Sequence, residues 1–198
     1  MLFQVFLAAI FLQFAFADVG WDGIQSVSVS GFQCLMNHGF TFYIGRVWEE
    51  VCAPDNNGVQ NIKNARAAGW KWVDGYIFPS HRGGCGGGAA QMAAAVNNLR
   101  SKGAEIGQLW LDIERSSWPA DQNANRAFIT DMINQAKAMG INLGVYTNYN
   151  SWNSIVGAGW TGASHLPIWW AYWDGRQTFN GFESFGGWTK VAQMVHVE

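Results

Sequence analysis

The sequence predicts an α/β fold in which five βα units build a parallel, barrel-like sheet and strands alone follow. Three observations carry this expectation. Gly39, Gly69, Gly103 and Gly140 each close a helix-like stretch and precede a β-rich run. These glycines stand 30, 34 and 37 residues apart, about the length of one βα unit. After Pro167 the helical pattern disappears while β-rich runs continue.

Taken in order, the chain opens with a segment outside the fold. Residues Met1 to Phe16 are nearly all apolar, and Ala15-Phe16-Ala17 is a small-x-small cleavage pattern. The run is too short and too poorly flanked for a transmembrane helix, although its start carries no Lys or Arg. It reads as a secretory signal peptide over residues 1–17, leaving a single domain over residues 18–198. Strands are expected near Val19–Asp22, Thr41–Val47, Val73–Phe78, Gln108–Ile113, Leu143–Thr147, Pro167–Tyr172 and Val191–Val195. Helical stretches fall at Val59–Ala68, Ala89–Ser101 and Asn123–Met139. In the last, Ala127, Phe128, Met132, Ile133, Ala136 and Met139 recur at helical spacing, and Pro119 and Asp121 sit where a helix start wants them. Gly83 to Gly88 is a loop, lacking the Lys and Ser/Thr of a phosphate-binding turn.

Composition narrows the function. A net charge of −2 leaves no basic footprint for nucleic acid. No second apolar run could span a bilayer, and neither a CxxC motif nor a His cluster offers a metal site, so no membrane partner, metal or cofactor is expected. Twelve Trp against 13% charged residues suggest aromatic-lined surface as well as core. The three cysteines, Cys34, Cys52 and Cys85, make an odd count: a free thiol, an intermolecular bond or a missing partner.

The run Gln108 to Glu114 is the chemically informative one. Alternation puts Trp110, Asp112 and Glu114 on one face, with the acids at the C-terminal end of the strand. Two such acids repel, and the more buried one tends to keep its proton. Cleaving a glycosidic bond needs that split: one acid to donate a proton and one carboxylate to support positive charge. Parallel barrels place their chemistry at the C-terminal strand ends. Asp22, Arg46, Ser80, Asn148, Trp173 and Asp174 stand at the other ends, so Asp22 can converge with Asp112 and Glu114. Tyr146, Trp169, Trp170 and Trp173 lie nearby, and flat aromatic faces suit the apolar faces of a sugar ring. Of Trp169 and Trp170, alternation sends one inward and one outward.

These residues match a family. Gly20-Trp21-Asp22, Trp110-Leu111-Asp112-Ile113-Glu114, Gly144-Val145-Tyr146-Thr147-Asn148 and Trp169-Trp170-Ala171 together resemble the glycoside hydrolase family 25 lysozymes, the Chalaropsis-type N,O-diacetylmuramidases. Gly75-Tyr76-Ile77-Phe78-Pro79 and Asn180-Gly181-Phe182 are similar to secreted invertebrate members. The resemblance implies a TIM-like modified barrel, five βα units followed by strands only. It also implies hydrolysis of the β-1,4 bond between N-acetylmuramic acid and N-acetylglucosamine in bacterial peptidoglycan, for defence or for digestion of bacteria. Glu114 would be the proton donor, with Asp112 and Asp22 the supporting carboxylates. Tyr76, Tyr146, Asn148, Trp169 and Trp173 would bind the glycan.

The family pattern continues past Gly186-Gly187-Trp188-Thr189 into a final strand with a further active-site Asp; here no counterpart follows Lys190, so a missing last strand and an open seam beside Asp22 are expected. A catalytically impaired peptidoglycan-binding or regulatory paralogue is the alternative. The further expectations are a secreted monomer and a Cys52–Cys85 disulfide between neighbouring rim loops, leaving Cys34 over.

Overall fold

The computed structural model describes residues 19–116, 118–172 and 179–192. Its elements alternate: β1 (Gly20–Gly23), α1 (Val29–Asn37), β2 (Phe42–Glu49), β3 (Ala53–Pro54), α2 (Asn56–Ala67), β4 (Trp72–Ile77), α3 (Gly88–Lys102), β5 (Leu109–Asp112), α4 (Gln122–Ala138), β6 (Leu143–Thr147), α5 (Tyr149–Val156) and β7 (Ile168–Trp170). They form one sheet in the order β1-β2-β4-β5-β6-β7, with short β3 paired antiparallel to β2 and every other pairing parallel. Among the described residues β1 pairs only with β2 and β7 only with β6, so the sheet is a half-barrel with two edges.

The local causes are visible in the caps. Ser28, Asp55, Asp121 and Asn148 each accept a backbone N–H of the first turn of α1, α2, α4 and α5. Gly39, Gly69, Gly103 and Gly140 follow α1 to α4 at φ of 90°, 95°, 62° and 68°, a region that a Cβ disfavours. Helix α2 begins three residues before the expected Val59, because Asp55 caps a stretch, Asn56-Asn57-Gly58, whose composition alone reads as a turn. The expected strand at Val191–Val195 is not formed where it can be seen. Val191 and Ala192 lie outside any strand, with the Ala192 amide donating to Ile168 O at 3.1 Å, and residues 193–195 fall outside the described residues.

Two apolar layers flank the sheet. The larger packs its outer face against the helices, around Phe32, Ile62, Met92, Leu111, Ile129, Trp152 and many others. The smaller lies on the inner face: Ile44, Trp110, Tyr146, Trp169 and Ala171, with Phe42 and Tyr76 against them. Trp169 thus points inward and Trp170 into the outer layer, as strand alternation requires.

Candidate active site

At the C-terminal strand ends a cavity of about 190 Å³ is lined by Asp22, Tyr76, Asp112, Glu114, Tyr146 and Trp169. Register explains the convergence. Asp112 on β5 pairs with Tyr146 on β6, which pairs with Trp169 on β7, so these three stand in one row across adjacent strands. Tyr76 on β4 pairs with Trp110 one layer below. Asp22 comes from the edge strand β1, and Glu114 from the turn just past β5.

Electrostatics separates the acids. Asp112 is buried, and its Oδ1 has no hydrogen-bond partner among the described residues. Burial first, then the neighbouring charges of Glu114 and Asp22, push its carboxyl well above the usual range, with Arg46 pulling weakly back. Glu114 is half-buried; desolvation raises it, while the Tyr146 hydroxyl, placed to donate to it, pulls it down. Burial and the nearby carboxylates likewise raise the Tyr76 and Tyr146 hydroxyls, so both stay protonated donors. Arg46 is anchored by Asp55, whose Oδ2 accepts from Nε at 2.8 Å. No cluster able to hold a metal ion occurs among the described residues.

Asn148 does not line this cavity. Its Oδ1 accepts the Ser151 N–H at 2.8 Å and caps α5, a task that its position directly after β6 imposes. Trp173 lies outside the described residues.

The rim beside Glu114 is tied together. Cys52, after β2, and Cys85, after β4, are joined as a disulfide with Cα atoms 5.4 Å apart, and Cys34 is a free, exposed thiol. Ser116, after β5, donates to Glu50 at 2.9 Å, and Arg82 donates to the Ser116 carbonyl at 2.8 Å. Three loops from separate strands are therefore cross-linked. The hydrogen bonds among them had no sequence signal, since exposed polar pairs 34 and 66 residues apart follow no local pattern.

The sequence profile described as "Lysozyme-like protein 1" matches residues 13–195. "Lysozyme-like protein 5" of Caenorhabditis elegans is 47% identical over 171 residues, 86% of this chain and 80% of that protein. "Probable GH family 25 lysozyme 4" of Dictyostelium discoideum is 44% identical, covering 87% of this chain and 80% of that protein. The chain belongs to the glycoside hydrolase family 25 lysozymes. Solved structures agree at the level of fold. A family 25 lysozyme from Aspergillus fumigatus superposes with a TM-score of 0.68 at 19% identity, covering 87% of this chain and 83% of that one. A muramidase from Trichobolus zukalii gives 0.66 at 24% identity, covering 88% and 84%. The cavity described above is thus carried on a family 25 half-barrel, at the strand ends where parallel α/β folds place their chemistry.

Proposed function

We propose that this family 25 chain is a muramidase that hydrolyses the β-1,4 bond between N-acetylmuramic acid and N-acetylglucosamine in bacterial peptidoglycan. One observation carries the reading: Asp22, Asp112 and Glu114 meet three aromatic side chains in a single cavity. Glu114 is the acid: it matches the second carboxyl of the family's Asp-x-Glu pair and enters the cavity from the turn past β5, half-buried, with a proton affinity that desolvation raises. It donates its proton to the glycosidic oxygen as the bond to the sugar's anomeric carbon breaks. Water adds at that carbon, and its proton restores Glu114. Asp22 and Asp112 support the positive charge that develops on the sugar, Asp112 in its ionised form, which a positive charge arriving beside it favours. Tyr76, Tyr146 and Trp169 supply ring faces and hydroxyl donors for the glycan.

The finer architecture belongs to the same reading: a TIM-like modified barrel of five βα units followed by strands. The protein is a secreted single domain over residues 18–198, released after Ala17, serving defence or digestion as a monomer. The mature N-terminus of secreted protein, read by Edman degradation, tests the processing site; a start other than Asp18 rejects it. For the chemistry, purified peptidoglycan is incubated with wild type and Glu114→Gln, and new reducing ends are counted. Wild type releases them, and Glu114→Gln is slower by about 10²-fold or more. Equal rates in the two proteins remove Glu114 from the role, and no release by wild type removes the activity.

A further inference from the structure

Below the cavity the inner face carries a fourth carboxylate that the proposed reaction does not use. Asp74, on β4, commits both oxygens to β5 and the residue before it: Oδ1 accepts the Gln108 backbone N–H at 2.9 Å and Oδ2 accepts Trp110 Nε1–H at 3.1 Å. Burial raises the Asp74 carboxyl, while these two hydrogen bonds and the charge of Arg66 pull it back.

The Trp110 indole that Asp74 holds has little freedom. Trp110 pairs in register with Gly144 on β6, and a Cβ built at Gly144 would come within 2.3 Å of the ring. The indole therefore lies across bare backbone, pinned at its nitrogen. From there ring contacts run upward. Trp110 meets Trp169 edge-on at 5.9 Å between centroids, and Trp169 meets Tyr146 at 4.6 Å. Trp169 Nε1 is buried with no hydrogen-bond partner among the described residues, so packing alone sets that ring. Tyr146 ends the series with its hydroxyl toward Glu114.

We propose that Asp74 is a positioning residue: by locking the Trp110 indole it fixes Trp169 and Tyr146, and so where the Tyr146 hydroxyl meets Glu114. The kinetic part of the test rests on the muramidase reading; the titration part does not.

Four proteins decide it: Asp74→Asn, Asp74→Ala, Trp110→Phe and the double variant Asp74→Ala/Trp110→Phe, each checked for folding by circular dichroism. Asp74→Asn keeps the shape but can satisfy only one of the two donors, and it decides the matter if Asp74→Ala does not fold. On soluble peptidoglycan fragments the Asp74 variants lose about tenfold in kcat with KM little changed, and the double variant is no worse than Trp110→Phe alone. The ¹³C titration of the Glu114 carboxyl moves upward, because the Tyr146 donation that held it down is misplaced, and the alkaline limb of kcat follows. Additive effects, an unmoved titration or a downward move reflecting only the lost negative charge each overturn the proposal. Should wild type not cleave, the muramidase reading falls while the Glu114 titration still decides the role of Asp74.

Discussion

Asp112 is where burial and chemistry oppose each other. Its folded carboxyl is raised by desolvation and by Glu114 and Asp22, whereas in the unfolded chain it returns to about 3.9. Between those values the folded protein binds more protons than the unfolded one, so stability is fullest below the ordinary range and falls as pH rises through the raised value. Asp112→Asn removes that loss. Its melting temperature exceeds that of wild type at neutral pH, by about 2–4 °C for each kcal/mol recovered, and the gain shrinks toward pH 3. A variant that melts at or below wild type at pH 7 would contradict the account. Glu114, also raised, keeps its proton above the ordinary glutamate value of about 4.3, so the alkaline limb of the pH–rate profile lies above that value. At this scale the meeting of Asp112 and Glu114 in one cavity was legible from two acids at one strand end, although β5 stops at Asp112 and Glu114 stands in the turn beyond it. Asn148, expected at the rim, also caps α5, because a rim position and a helix cap are one position here. Asp74 left no signal, as its partners Gln108 and Trp110 are 34 and 36 residues away.

Among the elements, the loops after β2 and β4 are the ones with a covalent tie. The Cys52–Cys85 bond spans 33 residues. Closing a loop of that length stabilises the fold by roughly 3–4 kcal/mol, which for a chain of this size corresponds to about 10 °C. Calorimetry of the oxidised protein and of the double variant Cys52→Ala/Cys85→Ala measures it; coincident melting curves would show that the tie contributes nothing. Most elements were readable because each helix ends on a glycine that must adopt positive φ, a demand that sequence states openly. Helix α5 escaped because its segment, Tyr149-Asn150-Ser151-Trp152-Asn153-Ser154, is rich in residues that favour turns; the Asn148 cap and the burial of Trp152, Ile155 and Val156 hold it helical. Strand β3, two residues long, carries no period at all.

Over the whole molecule, stability is graded across the sheet. Strands β5 and β6 are buried at every position and have a neighbour on each side, whereas β1 and β7 are edges among the described residues. Amide hydrogen exchange is therefore slowest in Leu109–Asp112 and Leu143–Thr147 and faster in Gly20–Gly23 by at least tenfold. Uniform protection across the sheet would mean that β1 has a partner on its far side. The parallel order was legible from the spacing of the βα units, whereas what stands beyond β1 is a long-range choice, so the seam expected beside Asp22 is judged by this same exchange experiment. One contact in the slow-exchanging centre has a further consequence for inheritance. Trp110 and Gly144 face each other in register, with the indole filling the space where a Cβ would stand. A side chain at 144 is tolerated only after 110 has become smaller, and a smaller residue at 110 leaves a void until 144 has grown. Either first step is penalised, so the two positions are inherited as one unit across descendants of this chain.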